Sequence, residues 1–320
     1  MNVRRRLIPG TAAAAVIALG LGSLSACSSD AAGNSSGTYN VVASFYPMAF
    51  LAEQIGGKHV HVTSLTQPGQ EPHDLEISAR QTAQLQESDA VLYLKGLQPS
   101  VDEAVAQSEI KTKIDAASLT TLREHGGKGD GHAHDTHEEA HEGEEHGGRD
   151  PHVWLDPVRY AQIAQGVGKA FEKGDPAHAA DYRRNTEALV KKLDELHTRY
   201  ETGLRNTRTR TFITTHASFG YLAERYGLDE KAISGLDPES EPSAARVREL
   251  ERTAKAENVT TVFHETLVSD RTAKTLARDA GLRTDVLDPI EGITDASRGT
   301  DYFQVMDANL TALRKALGAE

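Results

Sequence analysis

From residue 41 to the end of the chain, short apolar runs alternate with longer stretches whose apolar residues recur every three or four positions. The first kind reads as buried strands and the second as amphipathic helices. Strands are predicted at 41–45, 60–65, 90–94, 211–216, 231–234, 259–263 and 284–287. Helices are predicted at 48–55, 78–85, 99–107, 157–173, 177–204, 219–226, 244–257, 269–280 and 302–317, several of them stopped by glycine, as at Gly56-Gly57 and Gly227. Strand followed by helix throughout is the signature of a mostly parallel sheet covered on both faces. The helix at 177–204 stands apart. It follows Asp175-Pro176, carries a stripe of Leu189, Leu193 and Leu196, and at 1.5 Å per residue would reach about 40 Å. That is longer than one small lobe needs. The expected architecture is therefore α/β, with two lobes at 39–175 and 205–320 joined by one long rigid helix at 176–204.

The amino-terminal pattern is different. Arg4, Arg5 and Arg6 precede an apolar run from Leu7 to Leu24, which reads as a secretory signal peptide over residues 1–26. Pro9-Gly10 interrupts the run, and its length is at the short end for a permanent span. The run closes on Leu24-Ser25-Ala26-Cys27, which resembles the lipobox of bacterial lipoproteins, with Cys27 as the lipidated first residue of the mature chain. Cys27 is the one cysteine of the sequence, so no disulfide competes for it. Residues 27–38 then form a small, polar, flexible tether. The implied location is outside the cytoplasm, on the outer face of the cell membrane.

Composition narrows the function. A formal net charge of -12 gives no electrostatic footprint for nucleic acid, and loss of residues 1–26 removes three arginines and no acid. Hydrophobic content of 38% and charged content of 26% are those of a globular protein with real cores.

Between residues 125 and 148 lie His125, His132, His134, His137, His141 and His146 among acids and glycines, with Ala133 and Ala140 the sole apolar residues. Such a run cannot build a core and is expected to be a mobile surface loop. His137-Glu138-Glu139-Ala140-His141 matches the H-E-x-x-H pattern of zinc proteases, but that motif requires a helix buried against a core, and its flanks here are glycine and acid. An auxiliary loop that collects metal loosely is the better reading, since imidazole and carboxylate both bind Zn²⁺.

Three further histidines sit on stiffened backbone. His73 follows Pro72 in a loop after a predicted strand, His152 lies between two Asp-Pro steps beside Trp154, and His216 ends a strand. Proline fixes its own φ and restricts the residue before it, and loops at strand ends are where open α/β sheets present binding groups. Asp288 and Glu291 occupy the corresponding place late in the second half. Two or three imidazoles with one carboxylate suit four-coordinate Zn²⁺, whereas Mn²⁺ favours more oxygen donors. His59 and His61 alternate with valine and are expected to face solvent or a sheet edge. His264, which lacks a proline brace, is expected to support a ligand from behind or to be structural.

These motifs together resemble the zinc/manganese solute-binding lipoproteins of ABC importers, over nearly all of the chain after the tether. The matching stretches are Glu71-Pro72-His73-Asp74, Asp150-Pro151-His152-Val153-Trp154-Leu155-Asp156-Pro157, Thr215-His216 with Phe219-Gly220-Tyr221, residues 235–243, and Val286-Leu287-Asp288-Pro289. The resemblance implies that His73, His152 and His216 are metal ligands, with Asp288 and Glu291 as competing fourth ligands and water able to replace either. Histidine at the third position, and the acidic His-rich run before the second ligand, resemble the zinc branch. The implied protein is a monomeric, lipid-anchored Zn²⁺ receptor serving a separate permease and ATPase, and is not an enzyme. No G-x-x-x-x-G-K-[ST] loop occurs in the sequence, so the energy would come from another chain. The alternatives are a zinc-dependent hydrolase, which would need an open metal position, and a metal-buffering or adhesive surface lipoprotein acting through the His-rich loop. Unperturbed imidazoles would place proton competition with the metal near pH 6.

Overall fold

The computed structural model describes residues 37–125 and 149–319. The expected signal peptide, Cys27, most of the expected tether, and His132, His134, His137, His141 and His146 lie outside the described residues.

The described residues from Thr38 onward form one compact unit built on two four-stranded parallel sheets. The first half runs β1 (Tyr39–Ala43), α1 (Tyr46–Gly56), β2 (Val60–Ser64), α2 (Ala79–Glu87), β3 (Ala90–Tyr93), α3 (Pro99–Gln107) and β4 (Thr112–Asp115), with strand order β2-β1-β3-β4. Next come α4 (Pro157–Gly174) and α5 (Ala179–Gly203). The second half runs β5 (Thr211–Thr214), α6 (Gly220–Tyr226), β6 (Asp229–Ala232), α7 (Ala244–Ala256), β7 (Thr261–His264), α8 (Arg271–Ala280), β8 (Arg283–Val286) and α9 (Tyr302–Leu317), in the order β6-β5-β7-β8. The two halves share one topology, with the first strand in the middle of each sheet and all strands pointing the same way.

The predicted elements are present, mostly with shifts of one to three residues at their ends. β4 is the addition. It is an edge strand with Ile114 as its one buried residue, so its sequence carries no apolar run to announce it. β2 is the opposite edge. His61 on it is exposed, whereas His59, just before it, places Nε2 2.7 Å from Asp181 and stacks on the ring of His178.

The long helix begins with a 3-10 turn, Pro176–His178, in which the Asp175 carboxylate accepts from His178 and from the Tyr182 hydroxyl. Leu189, Leu193 and Leu196 are buried along its inner face, as the stripe predicts. It packs on α1 and α4 on one side and on α9 on the other. Gly168 of α4 lets the two helices approach closely, because a Cβ there would collide with Thr186 of α5. One hydrophobic cluster runs from β1 and α1 through α4 and α5 to α6 and α9, so the halves are joined by core as well as by a connecting helix.

Polar ties reinforce that junction. The buried indole of Trp154 donates to Pro289 O at 2.7 Å, and the Tyr302 hydroxyl donates to Trp154 O at 2.6 Å. Arg225 of α6 grips both oxygens of Asp156, whose carboxylate also caps the start of α4. Among the described residues no helix is long and apolar enough to cross a membrane.

Candidate metal centre

Parallel sheets deliver their strand ends, and the loops after them, to one side of each layer. His73 lies on the loop after β2, His152 beyond β4, His216 two residues past β5, and Glu291 five residues past β8. These four, drawn from both halves, meet at one point, with one donor atom from each lying within 4.8 Å of the others. His152, His216 and Glu291 have no exposed side-chain surface, and His73 retains 12%.

The separations carry chemical information. Glu291 Oε1 lies 3.2 Å from His152 Nε2, 3.4 Å from His73 Nε2 and 3.5 Å from His216 Nε2, and the last two-ring contact, His152 Nε2 to His216 Nε2, is 3.3 Å. Zn²⁺ bonded at about 2.0–2.1 Å to four tetrahedral donors needs donor–donor edges of about 3.3–3.4 Å. These four of the six edges bracket that value, and the other two lie within 4.8 Å.

Each of the two buried rings is oriented from behind. His152 Nδ1 lies 2.7 Å from Asp150 Oδ1, and His216 Nδ1 lies 2.6 Å from Glu265 Oε1. An ionised carboxylate can only accept, so both rings carry their proton on Nδ1 and turn Nε2 into the centre. Asp150 Oδ1 also accepts the backbone N–H of His152, and Glu265 takes the Thr215 hydroxyl. Glu71 accepts the backbone N–H of His73 at 2.9 Å, which fixes the turn bearing that imidazole.

Charge is concentrated here. Burial opposes a charged His152, but hydrogen bonds to Asp150 and Glu291 outweigh it and raise its pKa to about 9. His216 is likewise pushed well above its ordinary value, because burial is outweighed by the Glu265 and Glu291 carboxylates. Glu291 is held well below the usual range, burial being overcome by bonds from His152, His216 and His73. Burial, with the neighbouring charge of Glu291, raises Glu71 to about 8. The pocket is anionic enough to hold protons until a cation replaces them.

Asp288 is not brought to the cluster. Its Oδ1 accepts Ile290 N at 2.8 Å, and its Oδ2 accepts the hydroxyls of Thr266 and Ser297. Its own backbone is clamped by Asn309, which accepts Asp288 N and donates to Asp288 O. Asp288 therefore folds the loop that presents Glu291. The loop is strained: Ile290 adopts φ 59°, unfavourable for a β-branched residue, and is held there by complete burial.

His264 lies away from the cluster, with Nδ1 3.4 Å from Glu265 O. Glu265 beside it is the functional neighbour that sequence reasoning passed over, although an acid directly after the strand next to β5 was a usable signal. His125 is the one member of the His-rich run among the described residues. Its Nδ1 lies 3.1 Å from Asp150 Oδ2.

Comparison with known proteins agrees with this geometry. Residues 41–316 match the family model described as ZnuA, zinc-uptake complex component A, periplasmic. The zinc-binding lipoprotein AdcA of Streptococcus pneumoniae R6 is 35% identical over 290 residues, covering 89% of this chain but 57% of AdcA, so the chain spans little more than half of that relative. The high-affinity zinc uptake system protein ZnuA of Bacillus subtilis 168 is 32% identical over 284 residues, covering 87% of both chains. The solved Zn(II)-bound ZnuA-like domain of S. pneumoniae AdcA superposes with a TM-score of 0.72 at 33% identity, over 88% of this chain and 99% of that one. With its two parallel-sheet halves, its bridging helix and a match over residues 41–316, this chain belongs to the ZnuA family of zinc-uptake components.

Proposed function

We propose that the chain is an extracytoplasmic Zn²⁺ receptor, which binds the ion through His73, His152, His216 and Glu291 and delivers it to the permease and ATPase of an ABC-type importer. The observation that carries this reading is the set of four donor–donor separations between 3.2 and 3.5 Å, matched to the edges of a zinc-sized tetrahedron. Three nitrogens and one oxygen favour Zn²⁺ over Mn²⁺. Because the donors come from both halves, the ion acts as a cross-link between them.

The carboxylate of Glu291 fills the fourth position, which leaves no place for a metal-bound hydroxide and disfavours a hydrolase. Asp288 supports the site from behind. The chain is exported, anchored through lipid on Cys27, and works as a monomer with lobes at 39–175 and 205–320 on either side of the helix at 176–204. The remaining histidines, His132, His134, His137, His141 and His146, act as an auxiliary collecting segment.

The test is equilibrium Zn²⁺ binding by the full chain in competition with a chelator, alongside ester and peptide probes. One tight site, lost in His152→Ala, with no turnover of either probe, is expected. Tight binding that survives His152→Ala, or hydrolysis that follows the bound zinc, would overturn the reading.

A further inference from the structure

The His-rich run begins with a residue that behaves unlike a collecting histidine. His125 occupies a built seat. On one side lies Asp150, fully buried, whose Oδ1 is engaged by the backbone N and the Nδ1 of His152, and whose Oδ2 faces His125 Nδ1 at 3.1 Å. On the other side lies α6. Its first residue, Gly220, has no Cβ, and one built there would run into the His125 side chain. The edge of the Tyr221 ring meets the imidazole at a centroid distance of 4.4 Å and an angle of 87°. His125 Nε2 lies 3.3 Å from Glu224 Oε2, and Glu224 is itself paired with Arg123 at 2.9 Å.

A chain of polar contacts therefore runs Glu224, His125, Asp150, His152, and ends on a nitrogen of the tetrahedral cluster. We propose that His125 is a positioning residue for the metal ligand His152, acting through Asp150, which it holds by the oxygen that His152 leaves free. The inference rests on the reading of His152 as a ligand.

The physical argument is one of alignment. A buried carboxylate with both oxygens bonded is fixed in its plane, and that plane sets the rotation of the imidazole bonded to it. Without His125, Asp150 Oδ2 has no other hydrogen-bond partner among the described residues, in a buried site. The carboxylate is then free to turn, and the Nδ1–H bond that fixes the His152 tautomer weakens. Tyr221 contributes through the backbone: its hydroxyl donates to Asp150 O at 2.8 Å and accepts Arg123 N at 2.8 Å, holding together the two segments that carry Asp150 and His125.

The experiment uses the full chain and Zn²⁺ alone, with affinity read by chelator competition, and Co²⁺ loading for the visible ligand-field spectrum. His125→Ala is expected to weaken Zn²⁺ binding by about tenfold or more, the scale seen when a ligand loses its outer partner, and to shift the Co²⁺ bands. His125→Asn, whose amide can still donate to Asp150, is expected to restore most of the affinity. Gly220→Ala, whose methyl would crowd both the His125 side chain and Asp150 Oδ2, is expected to weaken binding as well. Wild-type affinity in His125→Ala, or a loss in His125→Ala that His125→Asn does not rescue, would overturn the proposal. Unchanged binding in a parallel His152→Ala control would instead strike the underlying assignment of the ligand.

Discussion

The Nε2 atoms of His152 and His216 lie 3.3 Å apart, although 64 residues separate the two in sequence. Two bare lone pairs at that distance repel, so a proton or a cation must stand between them. The near equality of that distance with those to Glu291 fits the proposed zinc site, in which protons on the raised imidazoles compete with the ion. The behaviour of the protein towards pH follows from that exchange.

Zinc binding must displace protons from rings whose affinities are raised, His152 to about 9 and His216 beyond its ordinary value. Proton competition therefore operates throughout the range below about 9 and is already strong at pH 7, rather than starting near pH 6 as unperturbed imidazoles would suggest. The apparent log of the Zn²⁺ association constant is expected to climb by more than about one per pH unit between pH 6 and 8, since more than one proton leaves. Chelator competition across that range measures the slope. A flat profile would remove the imidazoles from the site.

The metal-free fold carries the opposite dependence. His152 is raised from 6.5 in the unfolded chain to about 9, so its contribution is complete below 6.5 and disappears as pH rises through about 9. Glu291 is depressed, so its contribution is present above its ordinary value of 4.5 and is lost as pH falls through its lower folded value. The thermal midpoint of the stripped protein should be highest between these limits and should fall from pH 6.5 to 9. With saturating Zn²⁺ that fall should vanish, which scanning calorimetry on both forms would measure.

Asp288 and Glu291 divide the work of one loop. Glu291→Gln should keep the fold and reduce Zn²⁺ affinity by about two orders of magnitude or more, because it replaces an anionic ligand. Asp288→Asn retains an acceptor for Ile290 N and should leave the donor set intact. Asp288→Ala should cost about 2–4 kcal/mol of stability, through the loss of the bonds from Ile290, Thr266 and Ser297. Equal losses of affinity in Glu291→Gln and Asp288→Asn would return Asp288 to the ligand set.

His216→Ala and removal of residues 126–148 separate the buried site from the His-rich segment. The substitution should lower affinity by more than about a hundredfold, exceeding what loss of an outer partner costs. The deletion, which spares His125, should leave equilibrium affinity unchanged and slow the capture of zinc from dilute solution. Stopped-flow fluorescence with a zinc indicator reads both quantities.

Much of this site was legible because proline and strand ends leave marks in a sequence. His73 after Pro72, His152 between Asp-Pro steps and His216 past β5 were all recognisable from their neighbours. What stayed hidden was settled by tertiary geometry. Asp288 and Glu291 sit three residues apart in one loop, and the side chain that enters the cleft is decided by the Ile290 turn and the Asn309 clamp. Glu265 orients His216 across 49 residues, with no local pattern to join them. His125 was grouped with its His-rich neighbours by composition, yet its surroundings are Asp150, Gly220 and Tyr221. β4 escaped notice because only Ile114 of its four residues enters the core.

The most direct test of the account is an anomalous-difference map at the zinc edge from crystals of the full chain grown with Zn²⁺. A single strong peak is predicted at about 2.0–2.2 Å from His73 Nε2, His152 Nε2, His216 Nε2 and Glu291 Oε1. A peak elsewhere, with none inside this cluster, would contradict it.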